Sequence, residues 1–256
     1  MAPLNFMSSI LRAPRLIFLS LTAAVLLPAQ ITVHLSPTTN RAFDAYIRTA
    51  ESAMEASDFK ARTAAKSDEV NVSPSDGASP HNVEDGLIHD WVAGAFVRGA
   101  KPEKALALFQ NYANYKKIFG PEVVESKLLD HQGSLWHPFL RLKRKSVLTV
   151  VLDSEYQVEY KPLRDGRWAI LSRSSSISEV ADGKPLPAGT GQGFLWRLNS
   201  YWLIEPRPQG VYLECRAVSL SRDIPTGLNW IVKPMVSGVP RDSLQATLEA
   251  ARKALK

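Results

Sequence analysis

Asp153, Glu155 and Glu159 fall on one face of a strand by period-two spacing. Paired carboxylates can act as general acid and base where burial raises one pKa. The opposite face carries Leu152, Tyr156, Val158 and Tyr160, an apolar set, so alternation sends the carboxylates to solvent. The five histidines, at 34, 81, 89, 131 and 137, form no His-x₃-His pair and no HExxH motif, which leaves a zinc hydrolase without support. His131 and His137 flank one predicted turn and read as surface residues. Gly189-Thr190-Gly191-Gln192-Gly193 has the texture of a phosphate loop. It lacks the Lys-Ser/Thr ending and leads into a strand, whereas a phosphate cradle opens a helix. It reads as a flexible lead-in to that strand. A Gly-x-Ser-x-Gly nucleophile elbow does not occur. These residues assign no catalytic group, no metal and no cofactor.

The apolar patterning is more informative. Trp196, Leu198, Ser200, Trp202 and Ile204 alternate on one strand, and Val211, Leu213, Cys215 and Ala217 on the next. Cys215 is the single cysteine, which excludes an intramolecular disulfide and a cysteine-rich zinc site. A long sheet with such a face needs cover, and the C-terminal segment offers Leu228, Val232, Met235, Val236 and Leu244. Tyr156, Val158 and Tyr160 complete the candidate cavity wall. The space enclosed is either a filled core or an apolar ligand site, since ligand sites are concave with few polar groups. Periodicity does not separate the two.

Around this face the elements follow in order. In 37–64, Phe43, Tyr46, Ile47, Ala50 and Met54 share one helical face, with Thr39 or Asn40 as cap. Residues 65–86 are polar and read as a flexible linker. A strand over 88–97 precedes a helix over 101–119. After Pro121 the chain reads as strands for about a hundred residues, with Asp165-Gly166 the strongest hairpin signal. Pro234 interrupts the C-terminal helix, giving pieces over 227–236 and 240–255. The joint reads either as a static bend or as a lid, with Met235 and Val236 at the entrance.

The 256-residue chain is 45% hydrophobic and 22% charged, a globular balance that excludes overall disorder. Arg12 and Arg15 are the only charged side chains before residue 31, and the uncharged run 16–27 follows them. A basic stretch, a short apolar run and Ala29 make residues 1–29 a signal peptide, since a spanning helix needs about 20 apolar residues. The expected location is secreted or periplasmic; the alternative is a membrane anchor at 16–27. Cleavage would lower the net charge from +6 to 6 − 2 = +4. That mild excess does not indicate nucleic-acid binding. The cluster Arg141, Lys143, Arg144 and Lys145 reads as a solvated strand edge or a contact for an anionic membrane surface.

One strand, one helix, a long antiparallel meander and a long C-terminal helix resemble the START-like (SRPBCC) helix-grip fold over residues 87–256. Residues 193–202 (GFLWRLNSYW) and 221–225 (SRDIP), with the helix behind them, look like its polyketide-cyclase and coenzyme-Q-binding branch. The resemblance implies an α+β fold with a curved antiparallel sheet of about six or seven strands on a kinked C-terminal helix. Here an N-terminal helix is added. It implies an apolar ligand such as a lipid, or alternatively cyclase- or hydrolase-type activity with Tyr156, Tyr160 or Ser200 as polar groups. A third reading is an interaction protein docking through its N-terminal helix. The oligomeric state is not legible.

Overall fold

The structure, a computed structural model, describes residues 32–62, 69–145, 149–223 and 229–256, with the backbone alone for 229–237. The chain begins with β1 (Val33–His34) and α1 (Pro37–Ala56). Next come β2 (Asn71–Pro74), β3 (His81–Val83) and β4 (Gly86–Arg98). Two short helices follow, α2 (Pro102–Gln110) and α3 (Tyr115–Ile118). The meander is β5 (Val123–Gln132), β6 (Leu135–Lys145), β7 (Thr149–Pro162) and β8 (Trp168–Ala181). Then come β9 (Lys184–Pro185), β10 (Thr190–Gly191), β11 (Arg197–Arg207), β12 (Gly210–Arg222) and α4 (Asn229–Ala254). The main sheet runs β2-β4-β12-β11-β8-β7-β6-β5, all antiparallel; β3 also pairs with β4 and β9 with β8. The described residues thus form a ten-stranded sheet, wider than the six or seven strands expected.

The extra width comes from the polar stretch read as a linker. Asn71–Pro74 pairs with 91–94 and His81–Val83 with 86–88, both on β4. Backbone pairing to a long neighbour orders these segments although their own side chains bury little. Residues 65–68 of that stretch, with 63 and 64 before it, lie outside the described residues.

β4 and β12 are buried on both faces, and that requirement explains their composition. Leu87, Ile88, His89 and Asp90 are consecutive buried residues, as are 211–216. On one face Ala93, Ala95, Val97, Leu213, Cys215, Trp202 and Ile204 pack with Phe109, Leu244, Leu248 and Ala251. On the other, Ile88, Val218, Leu220, Tyr201 and Leu203 pack with Phe43, Ile47 and Met54 of α1.

The face of α1 is therefore consumed within the chain, which removes the reason for reading it as a docking element. Ser36 caps the helix, accepting from Thr39 N at 3.1 Å, rather than Thr39 or Asn40. Thr39 instead donates its hydroxyl to the Glu84 carbonyl at 2.8 Å. The helix stops at Ala56, short of 64, because Asp58 and Phe59 adopt φ of 50° and 52° and reverse the chain. Polar contacts fix α1 on the sheet. Arg216 Nε donates to Asp90 Oδ1 at 2.9 Å, both residues buried, and Tyr46 donates its hydroxyl to Asp90 Oδ2 at 2.8 Å. Glu51 accepts from Arg173 Nε and from the Tyr201 hydroxyl, each at 2.7 Å.

Four further expectations change. The helix over 101–119 is broken at Asn111, whose ψ of 59° is non-helical. The C-terminal helix runs as one element through Pro234 and Pro240, since a proline removes only its own N–H from a ladder that other bonds continue. The cluster 141–145 lies on β6, an interior strand flanked by β5 and β7, so it is no edge. Arg141 is bidentate on Asp153 at 2.6 and 2.8 Å, and Arg144 pairs with Glu122. Gly189 to Gly193 is pinned rather than loose. Gly191 pairs with Val33, and the Glu179 carboxylate accepts from Gln192 N and Phe194 N at 2.7 and 3.1 Å. A Cβ at Gly191, where φ is 114°, would stand 2.5 Å from Glu179 Oε2.

Breaking the buried pair leaves an uncompensated charge, so Asp90→Ala should lower unfolding free energy by about 3–5 kcal/mol. Asp90→Leu combined with Arg216→Met should recover most of it in denaturant titration. A loss below about 1 kcal/mol would show that the pair does not hold α1.

Candidate functional site

Ladder register builds the site row by row across the face that α4 covers. Strand partners place Trp91, Ala217, Ser200, Ser172 and Val158 in one row. The next row is Ala93, Cys215, Trp202, Ile170 and Tyr160; on the other side, His89, Ser219 and Leu198 lie together. The central row carries small side chains where a curved sheet would otherwise be filled. A cavity of about 340 Å³ opens there. Phe109, Tyr112 and Phe119 close it from α2 and its continuation, and Val239, Pro240, Ser243, Leu244 and Thr247 close it from α4. Exposed Lys143 and the Arg144–Glu122 ion pair border it where it meets solvent.

Tyr156, Val158, Tyr160, Leu198, Ser200, Trp202, Cys215 and Leu244 line this space. Leu213 belongs to the same core without bordering the cavity. Trp196 is a correction: it lies before β11 begins and packs with Phe43 and Ile47 on the α1 side. The alternation does not extend back through the turn ending at Gly193, so the period-two reading fails there. Leu228 lies outside the described residues, as do the side chains of Val232, Met235 and Val236, and with them the lid.

Most polar groups around the aromatic end are already engaged. α2 ends at Gln110, and a helix end leaves carbonyls unsatisfied. The Phe109 carbonyl accepts from the Tyr160 and Tyr115 hydroxyls at 2.7 and 2.6 Å, and Tyr112 donates to Tyr160 Oη at 2.7 Å. Burial pushes the Tyr112 and Tyr156 hydroxyls up to about 12 and Tyr115 and Tyr160 higher. None is a tyrosinate base at neutral pH. Burial likewise raises the Cys215 thiol well above its ordinary value, so it is an inert wall group.

The residue that sequence reasoning passed over is His89. It is 1% exposed, borders the cavity, and has Nε2 3.1 Å from Ser221 Oγ. That is the separation of a nucleophile and its base. The hydrogen-bond network runs the wrong way for that chemistry. Ser221 Oγ also lies 3.3 Å from the Arg222 carbonyl, an acceptor for its one proton, and this arrangement favours the tautomer in which Nε2 donates to Oγ. His89 Nδ1 meets no partner among the described residues, whereas a catalytic histidine needs an orienting acceptor there. The signal was available: a histidine two residues before Trp91, within the apolar run of a doubly buried strand. The carboxylates behave as expected from alternation. Asp153 pairs with Arg141, Glu155 is exposed, and Glu159 faces Arg173. His131 stacks on Trp136 and His137 pairs with Asp130, so the two do not form one site.

Solved structures carry the comparison with known proteins. The human StarD13 lipid transfer and protein localization domain aligns with TM-score 0.50 and 15% identity, covering 88% of this chain and 99% of that one. The fold is START-like. A STAR-related lipid transfer protein from Xanthomonas axonopodis also matches, with TM-score 0.46 and 19% identity over 69% of this chain and 97% of that one. The Zhui aromatase/cyclase from Streptomyces matches with TM-score 0.41 and 12% identity over 65% and 88%. No protein-family model and no curated protein matches the sequence.

His89 has a titration consequence. Burial, with His81 adding, lowers its pKa from 6.5 to about 4. Between those values the unfolded chain binds more protons, so stability is complete above pH 6.5 and falls as pH drops towards 4. Stability curves against pH should show this loss, of order 3 kcal/mol, and His89→Phe should flatten it. An unchanged slope in the variant would assign the loss to other groups.

Proposed function

We propose that this chain binds an apolar ligand, a lipid or similar small molecule, in the cavity between the sheet and α4, without catalysing its conversion. The observation that carries this is the 340 Å³ space itself, walled by Trp202, Leu198, Val158, Leu244 and Phe109. Small-molecule sites begin at roughly 300 Å³ and are mostly apolar. The StarD13 domain of similar fold, a lipid transfer domain, agrees with such cargo. Binding is favoured over cyclase or hydrolase activity because the Tyr160 hydroxyl is committed to the Phe109 carbonyl and burial keeps Tyr156 and Tyr160 protonated. Ser200 stands beside Ser172 and Ala217 in its row, with no base among those partners.

Residues 1–29 fit this role as a signal peptide delivering the domain outside the cytoplasm, with an anchor at 16–27 the second possibility. Residues 1–31 lie outside the described residues; among the rest, no helix is long and apolar enough to cross a membrane. Exposed Lys143 beside the cavity suits contact with an anionic membrane surface during exchange.

Leu198→Trp fills the central void, and overpacking costs about 1–3 kcal/mol where the core has no slack. The expected result is a folded protein whose affinity for a fluorescent fatty acid falls at least tenfold. A variant that binds as the natural chain does would place the ligand elsewhere. Native mass spectrometry of the full chain, purified without detergent, should show an apolar adduct that this variant lacks.

A further inference from the structure

The cavity has two chemically different ends. At one, Trp202, Ile170, Cys215 and Tyr160 share a row, with Phe109 tilted against Trp202 at 4.4 Å between ring centroids. At the other, the register gathers His89, Ser219 and Ser221 on β4 and β12, all buried and all bordering the cavity. Only part of this polar group is satisfied internally. Ser221 takes up Nε2 of His89, and Nδ1 is buried without a partner among the described residues. A buried polar atom left unpaired costs about 1–3 kcal/mol, so a group supplied by a ligand would recover much of that. In the tautomer this arrangement favours, with the ring proton on Nε2, Nδ1 presents a lone pair and calls for a donor.

We propose that the ligand carries a neutral hydroxyl at one end of an apolar body, and that it donates this hydroxyl to Nδ1 of His89, with the body lying towards Trp202. The inference rests on the apolar-ligand reading above and narrows its ligand class to alcohols. His89 is uncharged at neutral pH, its pKa lowered by burial, so it offers no cation to a carboxylate or phosphate. Among the described residues, the cations that border the cavity, Lys143 and Arg144, are on β6 and not in the His89 row, and Arg144 is already paired with Glu122. Ser219, the strand partner of His89, places a second hydroxyl at the same end.

The test compares 1-decanol with decyl methyl ether, which keeps the oxygen and loses the donor. Calorimetric titration of the full chain should find the alcohol roughly tenfold tighter, the effect of one buried hydrogen bond. His89→Phe should bring the two affinities together. Ser221→Ala removes the acceptor that fixes the tautomer and should also shrink the preference, which guards against one variant failing to fold. Nitrogen NMR of the ligand-free natural chain should show His89 protonated at Nε2 and bare at Nδ1. A proton on Nδ1, or equal binding of alcohol and ether to the natural chain, overturns this inference and leaves apolar binding standing. Binding of neither probe defeats both readings.

Discussion

The structure depends on one constraint: the β4–β12 ladder is covered on both faces. Thirteen backbone pairings join the two strands, from Gly86 opposite Arg222 to Arg98 opposite Gly210. An antiparallel sheet commonly leaves one face to water. Here both are dry, so each residue of the ladder is assigned to one of two cores. The face towards α1 combines apolar contacts with the Asp90–Arg216–Tyr46 and Glu51–Arg173–Tyr201 networks. A buried ion pair contributes little net stability, but it fixes where its partners sit. The α1 helix is thereby set in register on the outer face, and the inner face is left to build the site.

The inner face shows how a cavity arises from side-chain size. Ala217, Ser200 and Ser172 stand side by side at the centre of the sheet, while Tyr156, Tyr160, Trp202 and Phe109 border the space. α4 packs over this face through Leu244, Leu248 and Ala251. At the aromatic end one carbonyl near the close of α2, that of Phe109, accepts from two tyrosine hydroxyls. A local demand for hydrogen-bond partners at a helix end therefore also shapes the wall of the pocket.

Much of this was legible in the residues. The alternation of β7, β11 and β12, the face of α1 and the turn at Asp165-Gly166 are local patterns, and local patterns survive folding. What was not legible depended on distant partners. Asn71–Pro74 and His81–Val83 have little apolar content and become strands only because β4 offers a ladder. Trp196 changes faces because the Glu179 carboxylate clamps the glycine-rich turn before it. α4 carries through Pro234 and Pro240 although local propensity favours a break. His89 was visible, but its meaning required knowing which face it takes and that Ser221 stands beside it.

The most direct measurement is crystallography of the full chain, purified without detergent and examined with and without xenon under pressure. Apolar space that is open to a ligand either holds that ligand or admits xenon. The account predicts continuous apolar density among Trp202, Ser200, Leu198 and Leu244, or xenon at that place when the protein is empty. A closed interior, with those side chains in contact and neither density nor xenon between them, would contradict it.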